Sequence, residues 1–451
     1  MCRSLQFFFV ISKSSTLHAI APDADVSHAA LLQNPAFQAP AGNDIYARSR
    51  CAVRVSHTAP RDIANSVRFL LFSQPKDFFM STVAAAPCRA HIDLSAIRHN
   101  LRLLGDPRRV MPVVKSDAYG HGLLPVAGAL DAEGVTHFAV GNVGEAHQLR
   151  QAGFRQTLVA LMGAPTREEM ALAAQEHILP LAHSFASLDR AAATGTPERP
   201  VEVAIKCETG MSRLGFEPDD LPALLEKLRA TPGIRPMLVL SHLACADMPE
   251  EDAYTRAQAR VFAEMAATLT EAFPHLRRSL TNSAGSLAYP ELRYDLMRPG
   301  LALYGCNPFH GTVSRELGAA LKPAMSVSAT VLQVRDVRPG QSVSYGRAFT
   351  TARAARIAVL GVGYADGYSR GLSDRGLVTI AGYRAPVRGR VCMGMLMAEV
   401  TDIPASIHEG DTAWLLGGPG AQALTAQDVA DIWGTIPYEV LCLLGRNARR
   451  Y

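Results

Sequence analysis

The chain has 451 residues, of which 48% are hydrophobic, 19% charged and 7% aromatic, a balance that excludes an intrinsically disordered chain and fits a globular protein of more than one domain. Lys and Arg number 45 against 41 Asp and Glu, a formal net charge of +4 dispersed along the chain, so a nucleic-acid partner is not expected. Nowhere do roughly 18 uncharged apolar residues follow one another, so no membrane-spanning helix and no membrane partner are expected.

The 8 cysteines (Cys2, Cys51, Cys88, Cys207, Cys245, Cys306, Cys392, Cys442) are scattered without any Cys-x-x-Cys spacing. A chain this long buries a core without disulfides, so this usage points to a reducing, cytoplasmic compartment and to no structural metal. The opening MCRSLQFFFVISKSS carries a short apolar run after Arg3, but no small-residue cleavage pattern follows closely, which disfavours a signal peptide. Residues 1–79 show little sustained periodicity; they are expected to be a disordered or spurious N-terminal extension, with Met80 as the true start. After Met80 a strand-like RAHID leads through Ser95 into an amphipathic helix.

One phrase then recurs to about residue 300: an apolar run of strand length, a polar or small end, and a helical stretch. The runs are MPVVKSDAYG (111–120), HFAVGN (137–142), LVALMGA (158–164), LPLAHS (179–184), VEVAIKCETG (201–210), PMLVLSHLA (236–244), RSLTNSAG (278–285) and DLMRPG (295–300). Continuous rather than alternating apolar runs indicate strands covered on both faces. Eight such units in succession predict an α/β fold, a (β/α)8 TIM barrel over 88–320, ahead of a doubly wound open sheet, which shares the repeating unit. Working residues in such barrels sit at the C-terminal strand ends, which here carry Lys115, Lys206, His242, Asn282, Ser283 and Arg298.

After about residue 320 the text becomes short β-rich runs punctuated by Gly and Pro, among them AMSVSATVLQVRDVRPGQSVSYG, RIAVLGVGYADGYSRG and APVRGRVCMGMLMAEV. A mostly β C-terminal domain is predicted over 321–451. Its one helical candidate is TAQDVADIWGTI, with Thr425 as N-cap.

Lys115 ends an apolar run that would desolvate its ammonium and lower its pKa, as a Schiff-base lysine requires; taken alone, a surface lysine snorkelling from a strand end has the same signature. The surrounding motif VVKSDAYGHG resembles the pyridoxal-phosphate attachment site of alanine racemases. The resemblance runs in order through KCETGMSRLGF, SHLACAD, TNSAG, MRPGLALYG, VSYG, GYADGYSR, GRVCM and IPYEVLC, and so covers nearly all of residues 88–451.

The resemblance implies pyridoxal 5'-phosphate as cofactor, held at rest by Lys115, which then serves as a base on one face of the substrate Cα. Inversion needs a second proton-transfer group on the other face, and Tyr345 in SVSYG matches the family's second base. In the family that tyrosine reaches the site from the partner subunit, which implies a homodimer with shared active sites. Arg298 matches the residue facing the pyridine nitrogen, and His242 the residue packed beside the ring. Tyr119, Ser283, Gly300, Leu301 and Tyr438 match phosphate-binding positions. Arg213 and Met393 match residues near the substrate carboxylate, Tyr364 a tyrosine at the entrance, and Lys206 a lysine that is carbamylated in many relatives. One departure stands out: after Cys392-Met393 the family usually has Asp, and this chain has Gly394.

The implied activity is that of an alanine racemase, interconverting L- and D-alanine for peptidoglycan or for alanine catabolism. The alternatives are racemisation of another small or basic amino acid, decarboxylation on the same scaffold, and a non-catalytic pyridoxal-phosphate carrier, which would need neither the β domain nor Tyr345.

Overall fold

Val113 and Ala139 exchange parallel-strand contacts, as do Val110 and Met297, and these two bridges close a ring of strands. Between them, in chain order, lie six parallel neighbours: His137–Val140, Thr157–Ala160, Ile178–Ala182, Val201–Lys206, Ile234–Leu240 and Arg277–Ser279. At the first seam the Val114 N–H donates to the Ala139 carbonyl (2.8 Å) and the Ala139 N–H to that of Pro112 (2.9 Å). At the second, Met111 N–H donates to Met297 O (2.8 Å), and a third seam, between 295–300 and the segment of Arg277–Ser279, is closed by Leu296 N–H to Arg278 O (3.1 Å) and Arg298 N–H to Thr281 O (3.0 Å). The result is a (β/α)8 barrel.

The sequence predicts full strands at 111–120 and 295–300, yet both positions carry only isolated bridges. Pro112 and Pro299 each lack a ladder donor, and the chain turns out of the extended conformation at Lys115. The remaining strands behave as their composition demands: Ile178–Ala182 is buried at every position because barrel packing covers one side and helices the other. Side-chain caps begin the following helices, Asn142 accepting from the Glu145 N–H, Thr166 from Glu169 and Ser184 from Ser187.

This computed structural model describes residues 8–11, 17–20 and 86–451. Phe8–Ile11 and Leu17–Ile20 pair antiparallel; the remainder of the expected extension over 1–79 lies outside the described residues. Residues 86–451 belong to a single unit.

In the C-terminal sheet, Met325–Val337 is the hub, pairing antiparallel with Ala355–Leu360, Thr412–Leu416 and Cys88–Ile92. The strand at the head of the predicted barrel region thus hydrogen-bonds into the second sheet, where the final strand Ala448–Arg450 lies parallel to it. Its burial alternates along Cys88, Ala90 and Ile92, which suits a sheet with one solvated face rather than a barrel wall. Thr425 caps the predicted late helix, Ala426–Trp433, by accepting from the Asp428 N–H. A second helix, unexpected from the sequence, follows at Pro437–Leu444; proline opens it at a position where no N–H is needed.

Candidate active site

The barrel segment ending at Val114 delivers Lys115 into an uncommon turn. Ser116, Asp117, Ala118 and Tyr119 have φ of 54°, 55°, 53° and 54°, four consecutive non-glycine residues in the left-handed region. Such a conformation costs each L-residue roughly 1–2 kcal/mol, so the surroundings must impose it. Glu145 does part of this: its carboxylate accepts from the N–H groups of Ser116 (2.6 Å) and Gly141 (2.7 Å). His121 does another part, its buried Nδ1 meeting the carbonyls of Ala118 (3.0 Å) and Tyr119 (3.1 Å).

Around Lys115 the strand ends gather cations. Burial and then Arg213 lower the Lys115 pKa, against weaker raising by Cys442 and Glu145. Lys206 is buried and donates to the Cys207 carbonyl (2.6 Å) and Ser241 Oγ (3.3 Å). Burial brings its pKa down to about 8, with Glu208 opposing and Arg298 and Arg213 reinforcing the shift. Arg298 is also buried; one Nη donates to Ser279 Oγ (2.5 Å) and the other to the carbonyls of Ser241 and Leu280. Burial and Arg213 push it down to about 9, which leaves a cation at neutral pH. His242 sits well below its ordinary value through burial and then the charges of Arg298, Arg213, Lys206 and Lys115, so it is a neutral ring. The carboxylate of Glu208, beside Lys206, is engaged by the N–H groups of Gly210 and Met211 (both 2.6 Å) and Arg213 (3.2 Å). The cluster therefore carries positive charge that its own carboxylates do not neutralise, which suits a bound anion.

Next to it is a tight backbone cradle. Ser283 Oγ accepts from the N–H groups of Gly300 (3.0 Å) and Ala302 (3.1 Å), fixing the turn Leu301–Tyr304. A Cβ at Gly300 would lie 2.3 Å from the Tyr119 hydroxyl, so only glycine admits that oxygen. The Tyr119 ring stacks on Tyr304 (4.8 Å between centroids) and meets Tyr438 from the second late helix at 5.8 Å.

The remaining predicted residues lie on the β domain. Tyr345 is 69% exposed on the turn Tyr345–Arg347, and among the described residues no hydrogen bond, ion pair or ring contact links it to Lys115. Ser344 Oγ donates to the Arg390 carbonyl (2.6 Å), and the N–H groups of Tyr364 and Ala365 donate to the carbonyls of Cys392 (3.0 Å) and Met393 (2.9 Å). Tyr345, Tyr364 and Met393 thus stand on three interlocked loops, with Tyr364 43% and Met393 63% exposed. A Cβ at Gly394 would meet nothing within 4 Å, so space exists where this chain lacks a side chain.

The residues fit pyridoxal phosphate. A desolvated lysine amine suits its aldehyde, a cradle that a single Cβ would fill suits its phosphate, and the surplus of buried cations suits its overall charge. A barrel with these three features at its strand ends, joined to a β domain, is the architecture of a pyridoxal-phosphate enzyme.

The alanine racemase N-terminal domain model matches residues 92–308 and the C-terminal domain model residues 324–451. An alanine racemase of Nitratidesulfovibrio vulgaris is 52% identical over 357 residues, 79% of this chain and 95% of the relative. A catabolic alanine racemase of Pseudomonas putida is 38% identical over 81% of this chain and 99% of its own length. The crystal structure of the biosynthetic alanine racemase from Pseudomonas aeruginosa superposes with a TM-score of 0.72 at 37% identity, covering 81% of this chain and 99% of the other. That of the Bartonella henselae alanine racemase with covalently bound pyridoxal phosphate gives 0.73 at 31% identity, over 81% and 99%. The chain belongs to the alanine racemase family and is a pyridoxal-phosphate-dependent isomerase.

Sequence reasoning passed over Glu145, His121 and Tyr304. The last two lie inside the quoted motifs VVKSDAYGHG and MRPGLALYG; Glu145 follows a strand end at NVGEA, which was the available signal.

Proposed function

We propose that the protein interconverts L- and D-alanine with Lys115 and Tyr345 as the two proton-transfer groups, one on each face of Cα. The observation that carries the reading is the Lys115 amine, desolvated at a strand end among cations that outnumber the carboxylates Glu145 and Glu208 beside them. Bound pyridoxal phosphate supplies the electron sink that makes the Cα proton removable.

The lowered pKa of Lys115 keeps a larger share of its amine neutral, the form that accepts the Cα proton. Tyr119, Ser283, Gly300, Leu301 and Tyr438 hold the phosphate, and His242 packs beside the ring as a neutral imidazole. Arg298 carries only donors and stays cationic, so facing the pyridine nitrogen it would offer no acceptor for a proton there; the cofactor would then be a weaker electron sink, which would favour proton return to Cα over side reactions. Arg213 and Met393 bind the substrate carboxylate and Tyr364 guards the entrance. Lys206 reacts as its neutral amine with carbon dioxide, forming an N–C bond and releasing one proton, so that a carbamate anion faces Arg213 and Arg298 in place of a third cation.

Tyr345 works in the site of a partner copy, in a head-to-tail homodimer. The exposure of Tyr345, Tyr364 and Met393 on one set of loops supports this, because such apolar groups gather where another surface covers them. The substrate, a free amino acid, and the cysteine usage support a cytoplasmic enzyme whose product serves peptidoglycan synthesis or alanine catabolism; among the described residues no helix is long and apolar enough to cross a membrane.

Tyr345→Phe tests the assignment. Racemisation read by polarimetry should drop by roughly 10²- to 10⁴-fold in both directions, while solvent deuterium incorporation should fall more for one enantiomer than for the other. Wild-type rates in both directions would remove Tyr345 from the mechanism.

A further inference from the structure

The strained turn Ser116–Tyr119 carries a cofactor lysine at its head and a cradle tyrosine at its end, so a small relaxation would misplace both. Glu145 and His121 hold the turn from the barrel side. A third group holds it from the opposite side, and it comes from the far end of the chain. Arg449 lies in the last strand, Ala448–Arg450, which runs parallel to Cys88–Ile92. Its Nε donates to the carbonyls of Gly120 (2.9 Å) and Gly445 (2.7 Å), and an Nη pairs with the Asp117 carboxylate. Asp117 in turn accepts from the Leu123 N–H (2.6 Å).

The packing leaves this turn no room to drift toward the β domain without disturbing that guanidinium. A Cβ on Gly120 would sit 2.5 Å from the Leu441 carbonyl, and one on Gly445 would sit 2.3 Å from the Gly120 carbonyl, so the two backbones touch directly. The helix Pro437–Leu444 that makes this contact also brings Tyr438 to the Tyr119 ring. Arg449 bonds both sides of the seam at once: Asp117 and Gly120 on the turn, Gly445 at the helix end. Its side chain is about one-fifth exposed (21%), sheltered enough for the ion pair to escape full screening.

We propose that Arg449 is a positioning residue: through Asp117 and Gly120 it locks the left-handed turn that aims Lys115 and Tyr119 at pyridoxal phosphate. The inference rests on the cofactor reading above. It makes the end of the chain part of the active-site support, and it explains why a turn of non-glycine residues is tolerated at the centre of the site. Arg449 touches no reacting atom and acts only through the turn.

The test uses the full-length enzyme, with wild type as the control for cofactor binding and racemisation, so that failure of the cofactor reading shows first in wild type. Arg449→Gln keeps polarity and removes the charge. It is expected to lower kcat for L-alanine by roughly 10- to 100-fold, as displacement of a reacting group by about 1 Å does, with KM changed much less. It should also weaken retention of pyridoxal phosphate in equilibrium dialysis and shift the visible absorbance band of the lysine-bound cofactor. Arg449→Lys, which keeps the charge, should recover part of both. Asp117→Asn, altering a half-exposed partner, should reproduce part of the defect, and the double variant should lose less than the sum of the two single losses because the Arg449–Asp117 link is shared. Unchanged kcat, retention and spectrum in Arg449→Gln would overturn the proposal. Losses that are additive in the double variant, unrelieved by Arg449→Lys and matched by a general fall in Tm would overturn it too, since they describe a tail that only stabilises the fold.

Discussion

Lys206 shows how a single buried side chain sets the charge of the site. An amine that titrates at about 8, lowered chiefly by burial, is partly neutral at physiological pH, whereas an ordinary lysine is not. In the unfolded chain the same amine titrates near 10.4, so between these values the folded state binds fewer protons and stability gains as pH rises through that window. Carbamate formation draws on the neutral amine and releases a proton, so it too is favoured by raising pH. Enzyme equilibrated with ¹³C-bicarbonate at pH 8 should show a carbamate ¹³C resonance that weakens as pH falls below 7 and is missing in Lys206→Ala. Its absence from the wild type would leave Lys206 as an amine held by Cys207 and Ser241.

Among the elements, the turn Leu301–Tyr304 and the turn after Lys115 meet at Gly300, and this contact decides whether the cradle is open. Gly300→Ala places a methyl group 2.3 Å from the Tyr119 hydroxyl and 2.9 Å from its ring carbon. Overpacking of this kind costs about 1–3 kcal/mol, so pyridoxal phosphate should bind roughly tenfold more weakly or worse. Dialysis and the thermal shift on adding cofactor would register this, and a wild-type affinity would show that the phosphate lies elsewhere. The elements themselves were largely readable in the sequence. Continuous apolar runs marked the barrel strands, and their polar ends marked Lys115, Lys206, His242 and Arg298, which the structure gathers at one end of the barrel. What was not readable depends on backbone conformation and long-range pairing. Ser116, Ala118 and Tyr119 carry no preference for positive φ, so the turn had no sequence signature. Arg449 is more than 300 residues from its partner Asp117. The strand Cys88–Ile92 reads as the start of a barrel because it precedes one, whereas its pairing with Met325–Val337 and its alternating burial place it in the second sheet.

At the scale of the molecule the remaining question is how Tyr345 meets Lys115. Tyr345 stands 69% exposed on the β domain, while Lys115 lies in the barrel and the turn it opens packs against the helix bearing Cys442 from its own β domain. In the proposed head-to-tail pair a two-fold axis gives each site the lysine of one copy and the tyrosine of the other. The consequence is a complementation test that no single-chain site can pass. Lys115→Ala and Tyr345→Phe homodimers are each nearly inactive, having lost one group from both sites. If the two proteins are mixed, dissociated mildly and allowed to reassociate, about half the dimers are mixed, and each mixed dimer holds one intact site and one doubly defective site. Activity should therefore recover to about one quarter of the wild-type rate per site, rising over the time of subunit exchange. A site built within one chain would give only the sum of the two residual activities, however long the mixture stood. Recovery to the quarter level, and its loss when the subunits are cross-linked before mixing, would place the tyrosine in its partner's barrel.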